Sequence, residues 1–211
     1  MKRVIIAVLL SCSIICVTYH PSQVKAATLG TLNCWYSATA STIGRWDQDS
    51  VYVYVNKLNS NSSFELVAHM TNGCSQWGNA LGVSLNVTQT DSTAPIKYYG
   101  GGTFILFFYG FSVTSDVNGQ TNLTATNEGT WTYGQAIKTG MLISGVSGCI
   151  VDNMSGSGRT TTEIKETCIH ELGHAMGWYG HSSATTDIMN GNGSSVVTLT
   201  YRDKNHLSQV Y

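Results

Sequence analysis

The stretch HELGHAMGWYGH, residues 170–181, constrains this chain more than any other twelve residues in it. Histidines four apart project from one side of a helix, one turn above the other. His170 and His174 therefore share a target only if this segment is helical, and the flanking sequence supplies the helix. Thr160 and Glu163 in "TTTE" have the three-residue spacing of a capping box. Ile164, Cys168, Leu172 and Ala175 or Met176 recur every three to four residues as a buried stripe. Glu166, His170 and His174 run up a neighbouring stripe, and Gly177 closes the pattern because glycine accepts the left-handed conformation that ends helices.

Two imidazoles so placed can meet one zinc ion, and Glu171 between them can hydrogen-bond a water in the ion's open position. Zinc lowers the pKa of water, and a carboxylate beside it accepts the proton as the oxygen attacks a carbonyl. A site of this kind needs a third protein ligand. After His181 the only acids are Asp187 and Asp203, so a glutamate on a later helix is not available. His181, beyond the Gly177 turn, is the expected third ligand. The sequence thus predicts His170, His174 and His181 as metal ligands for one catalytic zinc, with Glu171 as the catalytic base.

The first 26 residues carry Lys2 and Arg3, an apolar run from Val4 to Val17, and Val24 and Ala26 at the end. That is the layout of a secretory signal, with cleavage expected after Ala26, and the run is short for a membrane span. Residues 1–26 are read as signal peptide and 27–211 as a single catalytic domain, secreted and extracellular, with no stable membrane anchor and monomeric. The signal carries three basic and no acidic residues, so the net charge of -1 becomes -4 without it. No basic stripe remains, which excludes nucleic acid as a natural partner. Cys34, Cys74, Cys149 and Cys168 remain after cleavage, and four cysteines in an exported chain read as two disulfides with three possible pairings.

Strands are predicted at "VYVYV" (51–55), "GVSLNV" (82–87), "GTFILFFYGFSV" (102–113), "TNLTAT" (121–126) and "GMLISG" (140–145). "DVNGQT" (116–121) reads as a turn. A helix is expected where Phe64, Val67, Ala68, Cys74 and Trp77 recur at helical spacing, and a Gly- and Ser-rich loop from Val146 to Arg159. The fold class is α+β, a mixed twisted sheet with a long active-site helix and a C-terminal helix. "DNMSGSG" (152–158) offers a single acid toward calcium and is read as solvated loop.

His170, Glu171, His174 and Gly177 match the metzincin pattern HExxHxxGxxH, and "ATTDIMN" resembles the methionine turn of that superfamily, with Met189 as the methionine. "GHS" (180–182) and the tail "LTYRDKNHLSQVY" are similar to the matrixins, the matrix metalloproteinase-like catalytic domains. The resemblance covers most of 50–211 and is specific from 160 onward. It implies a metzincin-like fold and a zinc-dependent endopeptidase acting on internal peptide bonds of a polypeptide substrate. Two departures stand out. The spacing here is HExxHxxGxxxH, one residue longer than the family's, a bulge that Gly180 can absorb. There is also no histidine between Ala80 and Ile169, so the second, structural zinc of many matrixins is not expected, and disulfides, Cys149–Cys168 and Cys34–Cys74, are favoured in its place. The substrate is expected along the edge of the strand from Phe104 to Phe111, with Phe107, Phe108, Trp178 and Tyr179 shaping the groove. The extra residue leaves one alternative, a binding protein that keeps the fold without turnover.

Overall fold

The computed structural model describes residues 27–33, 35–36, 40–58, 65–114, 117–154 and 157–211. The expected signal peptide and Cys34 lie outside them, as do residues 155 and 156 of the "DNMSGSG" loop. In chain order the elements are β1 (Ala27–Thr31), β2 (Thr42–Arg45), β3 (Ser50–Lys57), α1 (Leu66–Leu81), β4 (Ser84–Thr88), β5 (Ile96–Gly101), α2 (Thr103–Phe108), β6 (Gly119–Tyr133), β7 (Ala136–Val151), α3 (Thr161–Ala175) and α4 (Tyr201–Ser208).

The period-two pattern of β3 buries Val51, Val53 and Val55 and leaves Tyr52 exposed. β3 lies between β4 and β5, parallel to both. The sheet continues from β5 through β7 to β6 and β1, and β2 adds to β7 at Thr139–Leu142. The β6–β7 pairing is antiparallel while β5, β3, β4 and β2 run parallel to their neighbours, so the sheet is mixed as expected.

α1 and α3 pack together on one face. Met70, Cys74 and Trp77 of α1 and Ile164, Cys168, Ile169 and Leu172 of α3 are all buried in one apolar cluster with β3 and β5. Tyr98 ties the sheet to the helix: its hydroxyl donates to the Glu171 carbonyl at 2.7 Å. Gly148 makes this possible, because a Cβ there would stand 2.8 Å from Tyr98 Cδ1 and 2.9 Å from the Gln120 carbonyl. A smaller cluster on the opposite side joins Leu106, Phe111, Cys149 and Val151.

Several expectations are corrected. Residues 103–108 form helix α2, not a strand, and only Leu106 of that helix is buried. Gly102 enters it in an extended conformation and Gly110, with φ of 86°, turns the chain just after it, which leaves room for one short helical segment. "TNLTAT" belongs to a fifteen-residue strand whose hairpin partner is β7 downstream. "GMLISG" likewise lies inside a sixteen-residue strand that takes in Val146–Val151, which composition assigned to the loop. The favoured Cys149–Cys168 disulfide is not formed, and of the favoured Cys34–Cys74 pair Cys34 lies outside the described residues while Cys74 is free: Cys74, Cys149 and Cys168 are free buried thiols. Cys149 belongs to the small cluster near α2 and Cys168 to the main core. Burial pushes the Cys74 and Cys149 thiols up to about 12. No described helix is long and apolar enough to cross a membrane.

Candidate metal centre and active site

α3 starts as the sequence requires. Thr160 Oγ1 accepts from the Glu163 N–H, and the Glu163 carboxylate accepts from the Thr160 N–H at 2.7 Å. Three donors fix the other half of the helix to the core. Trp77 Nε1 donates to the Ile169 carbonyl, Trp46 Nε1 to Ala175 and the Tyr211 hydroxyl to Met176, at 2.8, 2.9 and 2.7 Å. The last two satisfy carbonyls that a helix C-terminus otherwise leaves without partners.

Beyond α3 the chain reverses through Gly177, φ 106°, and Gly180, φ 76°. Gly177 lies against β2, where Gly44 N–H donates to its carbonyl at 2.8 Å and a Cβ would run into the Gly44 backbone. Trp178 bridges to Ile43 and is fully buried. The extra residue before His181 is therefore taken up in a turn with glycine at both ends. His181 comes back to the helix: the ligand-capable atoms of His170, His174 and His181 lie within 4.8 Å of one another.

Hydrogen bonds assign the tautomers of the two helical imidazoles. His170 Nδ1 lies 2.7 Å from the Ile188 carbonyl and His174 Nδ1 2.7 Å from the Trp178 carbonyl. A carbonyl only accepts, so both Nδ1 atoms carry the proton and both Nε2 atoms present lone pairs. Those two Nε2 atoms are 3.1 Å apart. Two lone pairs facing each other at that distance repel, and a cation between them removes the repulsion. Two nitrogens at about 2.0–2.1 Å from a tetrahedral ion would stand about 3.3 Å apart, close to the observed gap. Burial holds the His170 imidazole down at about 3 and lowers His174 and His181 as well, so all three are neutral at physiological pH. The cluster is thus equipped to take a divalent metal ion.

The elements beneath the cluster are fixed by two buried aspartates. Asp203 accepts from the N–H groups of Ile188 and Met189 at 3.1 and 3.3 Å while it completes a capping box with Thr200 at the start of α4. This holds the Ile188 carbonyl against His170 and the Met189 side chain against Gly173. Asp187, one of the two acids after His181, is fully buried and bonded to Arg202, Ser182 and Thr200. It does not belong to the histidine cluster.

Glu171 is 5 % exposed, and burial raises its carboxyl to about 7, opposed by a hydrogen bond from the Thr121 hydroxyl to Oε2 at 2.6 Å. A carboxyl with its pKa near neutrality is suited to taking and returning a proton. Two recesses meet at this residue. One, about 240 Å³, is lined by residues that include Asn118, Glu166, Thr167, His170, His181 and Asn190. The other, about 330 Å³, is lined by Gly119, Gln120, Thr121, His174, Trp178 and Tyr179 among others. Both include Gly119, where a Cβ would come 2.7 Å from Glu171 Cγ.

The candidate groove departs from expectation in one respect. Phe107 and Phe108 are 68 % and 70 % exposed on α2 and line neither recess, whereas Trp178 and Tyr179 do line one. The strand beside Glu171 is β6. β1 covers its outer edge only from Gly129 onward, and no other described strand pairs with the outer edge of residues 119–127.

No protein-family model and no curated protein sequence matches the chain. Among solved structures, that of myroilysin is similar with a TM-score of 0.45 and 13 % identity, covering 90 % of this chain and 93 % of that one. The functional reading rests on the site itself.

Proposed function

We propose that this chain is a secreted, zinc-dependent endopeptidase of metzincin-like, matrixin-related type. The observation that carries the reading is the convergence of three neutral imidazoles beside a buried carboxylate that is hydrogen-bonded and open to two recesses. A purely structural metal site has no use for Glu171. His170, His174 and His181 would hold the zinc. Bound there, it supplies Lewis acidity toward a carbonyl and lowers the pKa of water.

The residues of the chain account for the rest. The free edge of β6 at 119–127 binds the substrate as an added strand through backbone hydrogen bonds. The recesses on either side of Glu171 receive substrate side chains. Glu171 takes the proton from the attacking water and returns it to the nitrogen that leaves. Thr121 keeps that carboxylate aimed, and the Ile188 and Trp178 carbonyls keep the two helical imidazoles in the tautomer that leaves Nε2 free. The alternative of a binding protein without turnover rested on the extra loop residue, and Gly180 absorbs that residue with His181 still in the cluster.

The test is digestion of an unfolded protein by the purified chain with added zinc, followed by mass analysis of the products. Fragments from internal cuts, abolished by chelation and restored by zinc, are expected. Stepwise loss of terminal residues, or intact substrate, would overturn the reading.

A further inference from the structure

The recess between α3 and the segment after Met189 holds a charge that the chemistry above does not use. Glu166 stands one turn before His170 on the same stripe of α3, lines this recess, and is 6 % exposed. A buried carboxylate ordinarily has a cationic partner, because desolvation of the charge is costly without one. Among the described residues none is within ion-pair distance of it: the pairs there are Arg45 with Glu128 and Arg202 with Asp187. Arg159 acts on Glu166 only at longer range, since its N–H groups go to the Val151, Asn118 and Glu163 carbonyls and to the Thr167 hydroxyl. The Ser194 N–H donates to the Glu166 carboxylate, while the Thr167 hydroxyl, which donates to the Glu163 carbonyl at 2.9 Å, lies 3.5 Å from it. Burial raises its pKa, and the neighbouring Glu171 carboxyl adds to the rise. Among the described residues the lining contains no lysine or arginine; it holds a second carboxyl, that of Glu171, and its other polar side chains, Asn118, Thr167 and Asn190 with the two histidines, carry no positive charge.

We infer that this recess is the subsite for a lysine or arginine side chain of the substrate, and that Glu166 is the residue that selects it. The inference rests on the endopeptidase reading and names its substrate class. A helical turn rises about 5.4 Å, so Glu166 lies about one turn past His170 as seen from Glu171, in the same recess, where a long side chain entering beside Glu171 meets it. A guanidinium or ammonium group supplies the missing partner. An apolar side chain leaves the carboxylate desolvated and unpaired, and an acidic one meets like charge in a poorly screened site.

The experiment measures binding separately from turnover. Labelled peptides that differ only in arginine against citrulline, which keeps the shape and loses the charge, are titrated against the zinc-loaded Glu171→Gln protein by fluorescence anisotropy. The arginine peptide is expected to bind about tenfold more tightly, and adding Glu166→Gln is expected to erase the difference. Equal binding of the two peptides by Glu171→Gln alone would overturn the inference whether or not the second variant folds. So would an arginine preference that survives Glu166→Gln. The same peptides are then given to the unsubstituted protein. Cleavage adjacent to arginine, reduced for citrulline, supports both readings. Arginine-selective binding with no cleavage anywhere overturns the endopeptidase reading and leaves the charge-selective recess in place.

Discussion

Gly173 lies between the two helical histidines, and alanine there sets two magnitudes against each other. Glycine inside a helix costs about 1 kcal/mol relative to alanine, so an isolated helix would gain from the change. In the folded protein the new Cβ would fall inside contact distance of the Met189 sulfur and 2.8 Å from Trp77 Cζ2. Met189 is flexible, but Trp77 is fully buried and tied by its indole N–H to the Ile169 carbonyl, so it cannot yield freely. Forcing atoms into a filled core costs about 1–3 kcal/mol, and two simultaneous clashes place this site toward the upper end. Gly173→Ala is therefore expected to destabilise the metal-free protein by about 1–2 kcal/mol net in urea unfolding. It should also reach the metal site, because Met189 adjoins Ile188, whose carbonyl orients His170. Disturbing such a partner lowers metal affinity about 10- to 100-fold, readable by competition with a chromogenic chelator. A variant as stable as the parent, with unchanged zinc affinity, would refute the packing argument.

Other outcomes follow from the same contacts. Zinc at about a hundred times its dissociation constant should raise unfolding stability by about 2.7 kcal/mol; an unfolding curve indifferent to zinc and chelator would contradict the cluster's assignment. Thr121→Val removes the hydroxyl from Glu171 Oε2 and should lower kcat/KM about tenfold or more, since hydrogen bonds to charged groups contribute about 1.5–3 kcal/mol. Zinc content should not change, and full activity would show that Thr121 does not position the base. His206, packed between Trp35 and Trp178, is held by burial at about 3. Its unfolded form titrates near 6.5, so below that pH the unfolded chain binds the extra proton and stability falls toward pH 3. At pH 5 the loss from this residue is about 2 kcal/mol, and the stability difference between the parent and His206→Gln should shift by that amount between pH 7.5 and pH 5. A pH-independent difference would refute it.

What could be read in the sequence was the part specified by neighbouring residues. α3 carries its own start signal, apolar stripe and glycine exit within eighteen residues, from Thr160 to Gly177, and the structure places all three where the spacing implies. α2 was misread because "TFILFF" is apolar throughout, and an unbroken apolar run has no period that separates strand from helix. β7 was cut short because Gly145, Ser147 and Gly148 look like loop residues. Yet Gly148 is small only because Tyr98 crosses over it, a contact fifty residues away in sequence. The role of Thr121 is invisible for the same reason, fifty residues before Glu171. The Thr200–Asp203 capping box was readable in principle, since a threonine with an acid three residues on is a known start signal. That Asp203 also holds the turn beneath the histidines was not. Glu166 was placed on the histidine stripe, but its burial without a paired cation appears only once the recess is formed.

The most direct test of the account measures bound zinc and kcat/KM for an internally cleaved peptide on the same preparations of parent and Glu171→Gln protein. The account predicts one zinc per chain in both and a loss of at least about 100-fold in kcat/KM for the variant, in line with removal of a general base. Unchanged turnover in Glu171→Gln, or a parent protein that cleaves peptide without binding zinc, would contradict it.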